Sequence, residues 1–207
     1  MQSKDYFDTI AGDWDSMQRA FFSDEVRETA FRLAGVVPDS TAADIGAGTG
    51  FITEGLLAHR VNVCAVDQSQ QMLSLLAQKL QSKGAITCVV ADGSSIPIPD
   101  EQMDYVFANM YLHHTQNPLD AIKEMYRILK QGGKLVITDL DSHNHLFLQT
   151  QQHDVWLGFE RNRIKEWLTD AGFTITEVTC VGCDCCADSL DSDEAASISI
   201  FAAYAVK

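Results

Sequence analysis

Short apolar runs alternate with amphipathic segments through most of the chain. Five runs have the length and composition of buried strands, at 41–45, 61–66, 86–90, 105–108 and 134–139. Apolar residues at helical spacing lie between them, at about 50–59, 69–80 and 117–129. This alternation is typical of a parallel sheet with helices on both faces. The sequence therefore predicts an α/β, Rossmann-like, doubly wound fold with a mostly parallel sheet.

The end of the chain departs from this rhythm. Two late apolar runs, 173–181 and 197–206, have no helix between them and predict an antiparallel hairpin at the sheet edge. They bring the predicted sheet to seven strands, joined by an acidic, Cys-rich loop at 182–196. Residues 141–159 are predicted to form an insertion or lid. Residues 1–35 form a predicted N-terminal cap segment, with an aromatic lead-in over 1–22 that includes Phe22.

Length and charge limit the class of protein. The 207 residues predict a single domain, and 15 Lys plus Arg against 29 Asp plus Glu give a net charge of −14. Such a charge disfavours nucleic acid and anionic membrane as partners, because both carry negative phosphates. No apolar run approaches the roughly 20 residues that span a bilayer, and the first residues lack a signal-type apolar core. We expect a cytoplasmic monomer or homodimer.

The strongest local motif is the glycine-rich turn at 44–50, Asp-Ile-Gly-Ala-Gly-Thr-Gly, between a strand and a helix. Glycines there let a ligand approach the backbone, and the helix start offers free N–H groups. A dinucleotide fingerprint would need glycine at position 51, where Phe51 stands, and Asp44 would lie close to a pyrophosphate. A ligand with an ammonium and a sulfonium, such as S-adenosylmethionine, suits an acid here.

Two more acids follow the next two strands. Asp67 ends the second strand about 20 residues past the turn, where a carboxylate can accept both hydroxyls of a ribose. Asp92, with Gly93, follows the third strand and can accept a hydrogen bond from an adenine amino group. The carboxyl ends of parallel strands share one edge of a sheet, where such folds bind ligands. Each acid alone also fits a helix cap or a turn.

With these motifs the chain resembles a class I S-adenosylmethionine-dependent methyltransferase. It is similar to the small-molecule branch that includes the menaquinone and ubiquinone C-methyltransferases. The motifs behind the resemblance span nearly the whole chain: Tyr6-Phe7, Gly12-Asp13-Trp14, Asp44 to Gly50, Asp67, Asp92-Gly93, Asp104-Tyr105-Val106, Leu112-His113-His114 and Glu124 to Gly133. The resemblance implies one methyltransferase domain over 1–207. Its implied activity is methyl transfer to a small-molecule acceptor, leaving S-adenosylhomocysteine.

The resemblance also implies which residues bind the cofactor. The turn glycines would line its methionine part, Asp67 its ribose, and Asp92 with Gly93 its adenine. The full predicted set is Tyr6, Trp14, Asp44, Gly46, Ala47, Gly48, Gly50, Asp67, Gln68, Met72, Asp92, Gly93 and Asn109.

His113 and His114 follow the fourth strand and are the candidate catalytic residues. An imidazole there can take a proton from an acceptor near neutral pH, while the alternative is a structural pair that shapes the pocket. Residues 109–112, Asn-Met-Tyr-Leu, lack the Pro-Pro-aromatic tetrad of enzymes that methylate amide or base nitrogens. That absence counts against such acceptors.

Four cysteines lie within seven residues, at Cys180, Cys183, Cys185 and Cys186. Clustered thiols favour soft metals and metalloids, so a thiol-assisted methyltransferase of arsenite is one alternative. The other reading of the cluster is an exposed, reduced loop without chemistry. Two rival functions also stay open: a NAD-linked oxidoreductase, and a non-catalytic cofactor-binding or metal-sensing module. The sequence does not identify the acceptor.

Overall fold

The computed structural model describes residues 3–21 and 23–207; Phe22 of the predicted lead-in lies outside this range. The strands are β1 (Thr41–Ile45), β2 (Asn62–Asp67), β3 (Ile86–Val90), β4 (Met103–Asn109), β5 (Leu129–Leu140), β6 (Ile175–Asp188) and β7 (Ala195–Val206). The helices are α1 (Ser3–Ile10), α2 (Trp14–Phe21), α3 (Asp24–Ala34), α4 (Phe51–Ala58), α5 (Gln70–Leu80), α6 (Pro118–Ile128), α7 (Phe147–Gln151) and α8 (Arg161–Asp170). A 3-10 turn covers Leu112–His114.

The seven strands form one sheet in the order β3-β2-β1-β4-β5-β7-β6. The five strands from β3 to β5 are parallel, whereas β7 runs antiparallel to both β5 and β6. This arrangement confirms the predicted Rossmann-like fold and its antiparallel C-terminal hairpin. Among the described residues, no helix is both long enough and apolar enough to cross a membrane.

Alternation along the strands divides the core between the two faces of the sheet. Val106 of β4 packs in a cluster with Ile122 and Met125 of α6. Its neighbour Phe107 packs in a second cluster with Leu56 of α4 and Leu76 of α5. Successive side chains of a strand point to opposite faces, so one strand supports both helical layers.

The parallel register brings the predicted motifs to one edge. Ile45 at the end of β1 is opposite Val66 of β2 and Ala108 of β4. Asp67 is opposite Val90 of β3. The glycine turn and the polar residues that follow β2, β3 and β4 therefore all emerge at the carboxyl edge of the sheet.

The C-terminal hairpin differs from the prediction. β6 continues to Asp188, so residues 182–188 are strand rather than part of a loop, and the turn to β7 shortens to 189–194. The register shifts between Cys180 and Asp184, at Gly182, whose φ is 95°. This bulge interrupts the alternation of apolar and polar positions that would have revealed the strand.

β5 also differs, since it begins at Leu129 directly after α6 rather than near position 134. Leu129 pairs with Met103, and a register shift precedes the pairing of Lys134 with Tyr105. The first part of the strand is not predicted from the sequence because it contains two glycines, at 132 and 133, and glycine usually ends an element.

Ser69 caps α5 as predicted, and its hydroxyl accepts a hydrogen bond from Met72 N at 3.1 Å.

We expect Leu76→Ala to lower the free energy of unfolding by about 2–5 kcal/mol, because it leaves a cavity in the core between α5 and the sheet. Leu76 is fully buried, whereas Leu190 in the β6–β7 turn is 83% exposed. Urea denaturation of both alanine variants tests this, and Leu190→Ala should stay within about 0.5 kcal/mol of the wild type. Equal losses in the two variants would contradict the placement of α5.

Candidate active site

The glycine turn between β1 and α4 has a conformation that only glycine adopts readily. Gly46, Gly48 and Gly50 have φ values of 72°, 52° and 98°. The N–H groups of Gly46 and Ala47 both donate to the Val66 carbonyl, at 2.9 and 3.0 Å. These bonds fix the turn against the end of β2.

Asp67 holds the same turn from the neighbouring strand. Its Oδ2 accepts a hydrogen bond from Gly48 N and its Oδ1 accepts one from Ser69 N, both at 2.8 Å. Burial raises the pKa of Asp67, while the bonds from Ser69 and Gly48 oppose that rise. A carboxylate offers about four acceptor positions, so Asp67 retains capacity for further donors.

Asp44 lies beneath the turn rather than at the surface of the cleft. Its Oδ2 accepts hydrogen bonds from Thr53 N at 3.0 Å and Thr53 Oγ1 at 2.6 Å, in the first turn of α4. Burial raises the pKa of Asp44 to about 7, the Thr53 bonds oppose this, and the charge of Asp67 adds to it. The structure thus gives Asp44 two bonds to α4, and its predicted contact with a cofactor stays a prediction.

A cleft of about 650 Å³ opens along this edge of the sheet. This volume is typical of small-molecule sites. We call it the main cleft. It brings together ten of the thirteen residues predicted to bind a cofactor: Trp14, Gly46, Ala47, Gly48, Asp67, Gln68, Met72, Asp92, Gly93 and Asn109. The other three, Tyr6, Asp44 and Gly50, do not line it.

Tyr111 forms part of the wall and was missed by sequence reasoning. A Cβ atom at Gly46 would lie 2.5 Å from Tyr111 Cδ2, and one at Gly93 would lie 2.0 Å from its hydroxyl oxygen. The ring therefore fills the space that side chains at both glycines would need. Burial raises the pKa of Tyr111, and the charges of Asp92 and Asp67 add to the rise.

The N-terminal helices close one side of the main cleft. Trp14 lies against the turn, with its Nε1 placed 3.4 Å from where a Gly48 Cβ would be. Asp15 accepts a hydrogen bond from the Thr49 hydroxyl and forms an ion pair with Lys79 at 3.0 Å. These contacts attach α2 to both the turn and α5.

Tyr6 connects α1 to the lid instead of lining the cleft. Its hydroxyl donates to Gln152 Oε1 at 2.8 Å, and its ring lies 4.6 Å from that of His153. Phe7, the next residue, does line the cleft. The aromatic pair predicted for the N-terminal segment therefore divides its contacts between the lid and the cavity.

The lid over 141–159 places its histidines in different surroundings. His153 lines the main cleft, and His145 pairs with Glu194 at 3.0 Å. Burial lowers the pKa of His143 to about 4, and His145 and His113 add to that effect. The lid is held by the His113 carbonyl, which accepts from Val155 N and Trp156 N at 2.9 and 3.0 Å.

A smaller space of about 50 Å³ lies behind the main cleft, and we call it the inner chamber. Its lining is mostly apolar, with one polar wall: Phe7, Trp14, Phe21, Met110, His113, His114, Leu140, Leu148, Gln152, Asp154, Cys185, Ala187 and Ile198. Five of these also line the main cleft, namely Phe7, Trp14, Met110, His114 and Asp154. Ligands in the two spaces would therefore be neighbours.

The polar wall of the inner chamber is a buried group of imidazoles and carboxylates. Asp139 Oδ1 accepts a hydrogen bond from His113 Nδ1 at 2.6 Å. Asp154 Oδ1 lies 3.9 Å from His113 Nε2 and 3.8 Å from His114 Nδ1. The two predicted catalytic residues are thus adjacent, with ring centroids 4.1 Å apart.

Burial and charge act in opposite directions on these groups. Burial alone would lower the pKa of His113, but the Asp139 and Asp154 carboxylates raise it to about 9. Burial lowers the pKa of His114 well below its usual value, and neighbouring His113 adds to this. Burial raises the pKa of Asp154 to about 6 despite the charge of His113. The wall therefore favours a single positive charge near Asp154.

The four late cysteines do not form the predicted thiol cluster. Strand alternation in β6 leaves Cys180 and Cys186 exposed, while Cys183 and Cys185 are half-buried. Cys185 alone reaches the inner chamber, where burial raises the pKa of its thiol to about 12. Within residues 3–21 and 23–207, the group of three or more metal-ligand side chains that the structure brings together is His113, His114 and Asp154.

The fold and the cleft define a class. A seven-stranded sheet with this strand order and a glycine turn at its carboxyl edge is the Rossmann-like architecture of class I methyltransferases. Residues 43–137 match the family described as methyltransferase domain. Residues 43–137 therefore form a methyltransferase domain, with S-adenosylmethionine as its cofactor, in agreement with the resemblance read from its motifs.

Curated relatives include methyltransferases with several acceptors. Malonyl-[acyl-carrier protein] O-methyltransferase of Marinomonas sp. is 32% identical over 140 residues, which are 65% of this chain and 50% of that protein. The ubiquinone/menaquinone biosynthesis C-methyltransferase UbiE of Geotalea daltonii is 28% identical over 163 residues, covering 74% and 69% of the two chains. The chain spans about half the length of the first two relatives, 50% and 48%.

Solved structures agree on the fold. A SAM-dependent methyltransferase from Aquifex aeolicus has a TM-score of 0.69 at 19% identity, covering 96% of this chain and 97% of that one. Haemonchus contortus phosphoethanolamine N-methyltransferase 2, in complex with S-adenosylhomocysteine, has a TM-score of 0.71 at 18% identity and covers 87% and 52%. These matches give no support to a metalloid acceptor, an oxidoreductase or a non-catalytic module.

We expect Asp44→Asn to flatten the pH dependence of stability. The folded-state pKa of about 7 lies above the ordinary value of 3.8, so folding takes up a proton between these values. This contribution to stability is complete below pH 4 and is lost as the pH rises through 7, with a slope of up to about 1.4 kcal/mol per pH unit.

Urea denaturation between pH 4 and 8 measures this slope. The wild type should lose stability more steeply than Asp44→Asn, while Asp120→Asn, a change at an exposed carboxyl of α6, should run parallel to the wild type. Parallel curves for the wild type and Asp44→Asn would contradict the shifted pKa.

Proposed function

We propose that this protein transfers the methyl group of S-adenosylmethionine to a small acceptor held in the inner chamber. The observation that carries this proposal is the shared wall between the two cavities. Because Phe7, Met110 and His114 line both, a cofactor in the main cleft would present its sulfonium to whatever occupies the chamber.

Each part of the cofactor has a complementary surface in the main cleft. The ribose hydroxyls would donate to Asp67, which keeps acceptor capacity beside Gly48. The adenine would lie beside Asp92 and Gly93, and the methionine part along the glycine turn. The carboxylates of Asp67 and Asp92, which line the cleft, give this edge a negative potential that favours a positively charged ligand.

In this reaction the main task of the protein is to align the acceptor atom with the methyl group of the cofactor. In methyl transfer the acceptor's electron pair forms a bond to the methyl carbon while the carbon–sulfur bond breaks and its electrons return to sulfur. The sulfonium is already activated, so holding the two reactants in line and excluding water supplies most of the acceleration. His113 and His114 would contact the polar group of the acceptor.

The inner chamber supports a small, largely apolar acceptor group with one polar atom facing the histidines. The relatives are named for acceptors as different as an acyl-carrier-bound malonyl group and a phytyl hydroquinone. The net charge of −14 also favours a small molecule over nucleic acid. We further propose a cytoplasmic location, since all six cysteines are free thiols, as is usual in a reducing compartment. A monomer or homodimer remains our proposal for the assembly.

Calorimetric titration with S-adenosylhomocysteine tests the cofactor assignment. We expect the wild type to bind S-adenosylhomocysteine. In Asp67→Ala the binding should be weaker by about 1–3 kcal/mol of free energy, because the buried ribose hydroxyls would lose their hydrogen-bond acceptor. Asp100→Ala, a change at an exposed carboxyl that pairs with Arg127, is the control and should bind normally. Binding of NADH in place of S-adenosylhomocysteine, or full affinity in Asp67→Ala, would refute the assignment.

We expect His113→Ala and His114→Ala to lower turnover by about 10²-fold while cofactor affinity changes little, because loss of a group that handles an acceptor proton has this magnitude. Transfer of radiolabelled methyl groups to hydroquinone, phenol and thiol acceptors would measure turnover. His145→Ala in the lid, whose ring pairs with Glu194, is the matched control. Unchanged turnover in both variants would remove the pair from catalysis.

A further inference from the structure

Asp154 is a buried carboxylate whose surroundings are incomplete. Its side chain is 3% exposed and lines both the main cleft and the inner chamber. His113 Nε2 and His114 Nδ1 lie 3.9 and 3.8 Å from its Oδ1, both beyond hydrogen-bond range, and His114 Nδ1 also lies 3.5 Å from the His153 carbonyl oxygen. The space between the three side chains can therefore hold a further group, which would replace the long contact between His114 and His153.

His113 is oriented as a metal-binding histidine usually is. Its Nδ1 donates to Asp139 at 2.6 Å, which fixes the ring and directs Nε2 toward Asp154. Metal-ligating histidines commonly donate their second nitrogen to a carboxylate in this way. Asp139 is itself immobilised, because it also accepts from Leu112 N and Leu140 N at 2.9 and 2.8 Å.

The three donor atoms are spaced for one ion. They all lie within 4.8 Å of one another. Tetrahedral zinc with bonds of about 2.0–2.2 Å separates its ligands by about 3.4 Å. Asp154 Oδ1 would therefore approach each imidazole nitrogen by about half an ångström, from 3.8 and 3.9 Å. The two nitrogens would also close to about 3.4 Å, through rotation of the side chains.

We propose that His113 Nε2, His114 Nδ1 and Asp154 Oδ1 bind one zinc-type divalent ion at the inner chamber. Two imidazoles and one carboxylate suit this class of ion, which lies between hard and soft metals. Three protein ligands leave one coordination position open, as in catalytic rather than structural zinc sites.

The open position would face the chamber, where it would take an oxygen, nitrogen or sulfur atom of an acceptor. This role rests on the proposed function, since it assumes that the chamber holds the acceptor. Ion binding itself does not, and it is measured without cofactor or turnover.

Exposed thiols can also bind an added metal ion, so the late cysteines supply a matched control. Cys180 and Cys186 are exposed on β6 and are absent from the histidine group. A Cys180→Ser/Cys186→Ser variant removes the accessible thiols and leaves the inner chamber intact.

The test is titration of the chelator-treated full chain with Zn²⁺ by calorimetry and with Co²⁺ by visible absorption. We expect one equivalent to bind to the wild type, to Cys180→Ser/Cys186→Ser and to Asp120→Asn. Asp154→Asn and His114→Gln should each lose at least tenfold in affinity. The Co²⁺ complex should show bands of nitrogen and oxygen ligation, without the intense thiolate charge-transfer band.

Absence of saturable binding to the wild type would overturn the proposal. So would full affinity in both Asp154→Asn and His114→Gln, or loss of binding in the cysteine variant. The wild-type Co²⁺ spectrum decides the matter even if a variant fails to fold. A separate titration with S-adenosylhomocysteine distinguishes failure of the metal site from failure of the proposed function, because it tests cofactor binding without a metal.

Discussion

The bond from Gly48 N to Asp67 is the contact on which the site depends. The turn contains three residues with positive φ, and its backbone bonds, from Gly50 N to the Ala47 carbonyl and from Gly46 N and Ala47 N to the Val66 carbonyl, leave Gly48 N to a side chain. Asp67 links it to the start of α5 by accepting from both Gly48 N and Ser69 N. Asp44 secures the other side through Thr53 in α4. Two carboxylates thus fix the position of two helices and of the cleft between them.

Asp139 organises the opposite end of the site in a similar way. It is a buried residue near the end of β5 and accepts from Leu112 N, His113 Nδ1 and Leu140 N. These bonds hold the 3-10 turn after β4, and the His113 carbonyl then holds the lid. The main cleft and the inner chamber are therefore each positioned by a carboxylate that accepts from backbone N–H groups, Asp67 on β2 and Asp139 on β5 of the same sheet. Such sites on rigid elements hold reactants more precisely than loops do.

Much of this arrangement could be predicted because parallel strands place their carboxyl ends at one edge. Asp67, Asp92 and Asn109 each follow an apolar run, and the topology alone gathers them. The direction of a side chain at the turn was harder to infer. Asp44 belongs to β1 and points beneath the turn, because alternation along the strand decides its direction. The sequence offers no signal for that choice beyond the position itself.

The contacts made across long distances in the chain were not predictable. Asp154 meets His113 because the lid folds back on the 3-10 turn, and no local pattern encodes this return. The length of β6 was missed because its cysteines and acids resemble a loop by composition. Their alternation becomes visible only with the bulge at Gly182. The composition of residues 182–188 marks them as unusual, but it is their pairing with β7 that makes them a strand.

Tyr111 ties together two glycines that are far apart in the sequence. Its ring already occupies the volume into which a side chain at Gly46 or Gly93 would extend. At position 46 the positive φ also requires glycine. At position 93 a larger residue would be accommodated only where the tyrosine is replaced by something smaller. In related chains, positions 93 and 111 should therefore vary in concert rather than as two independent choices.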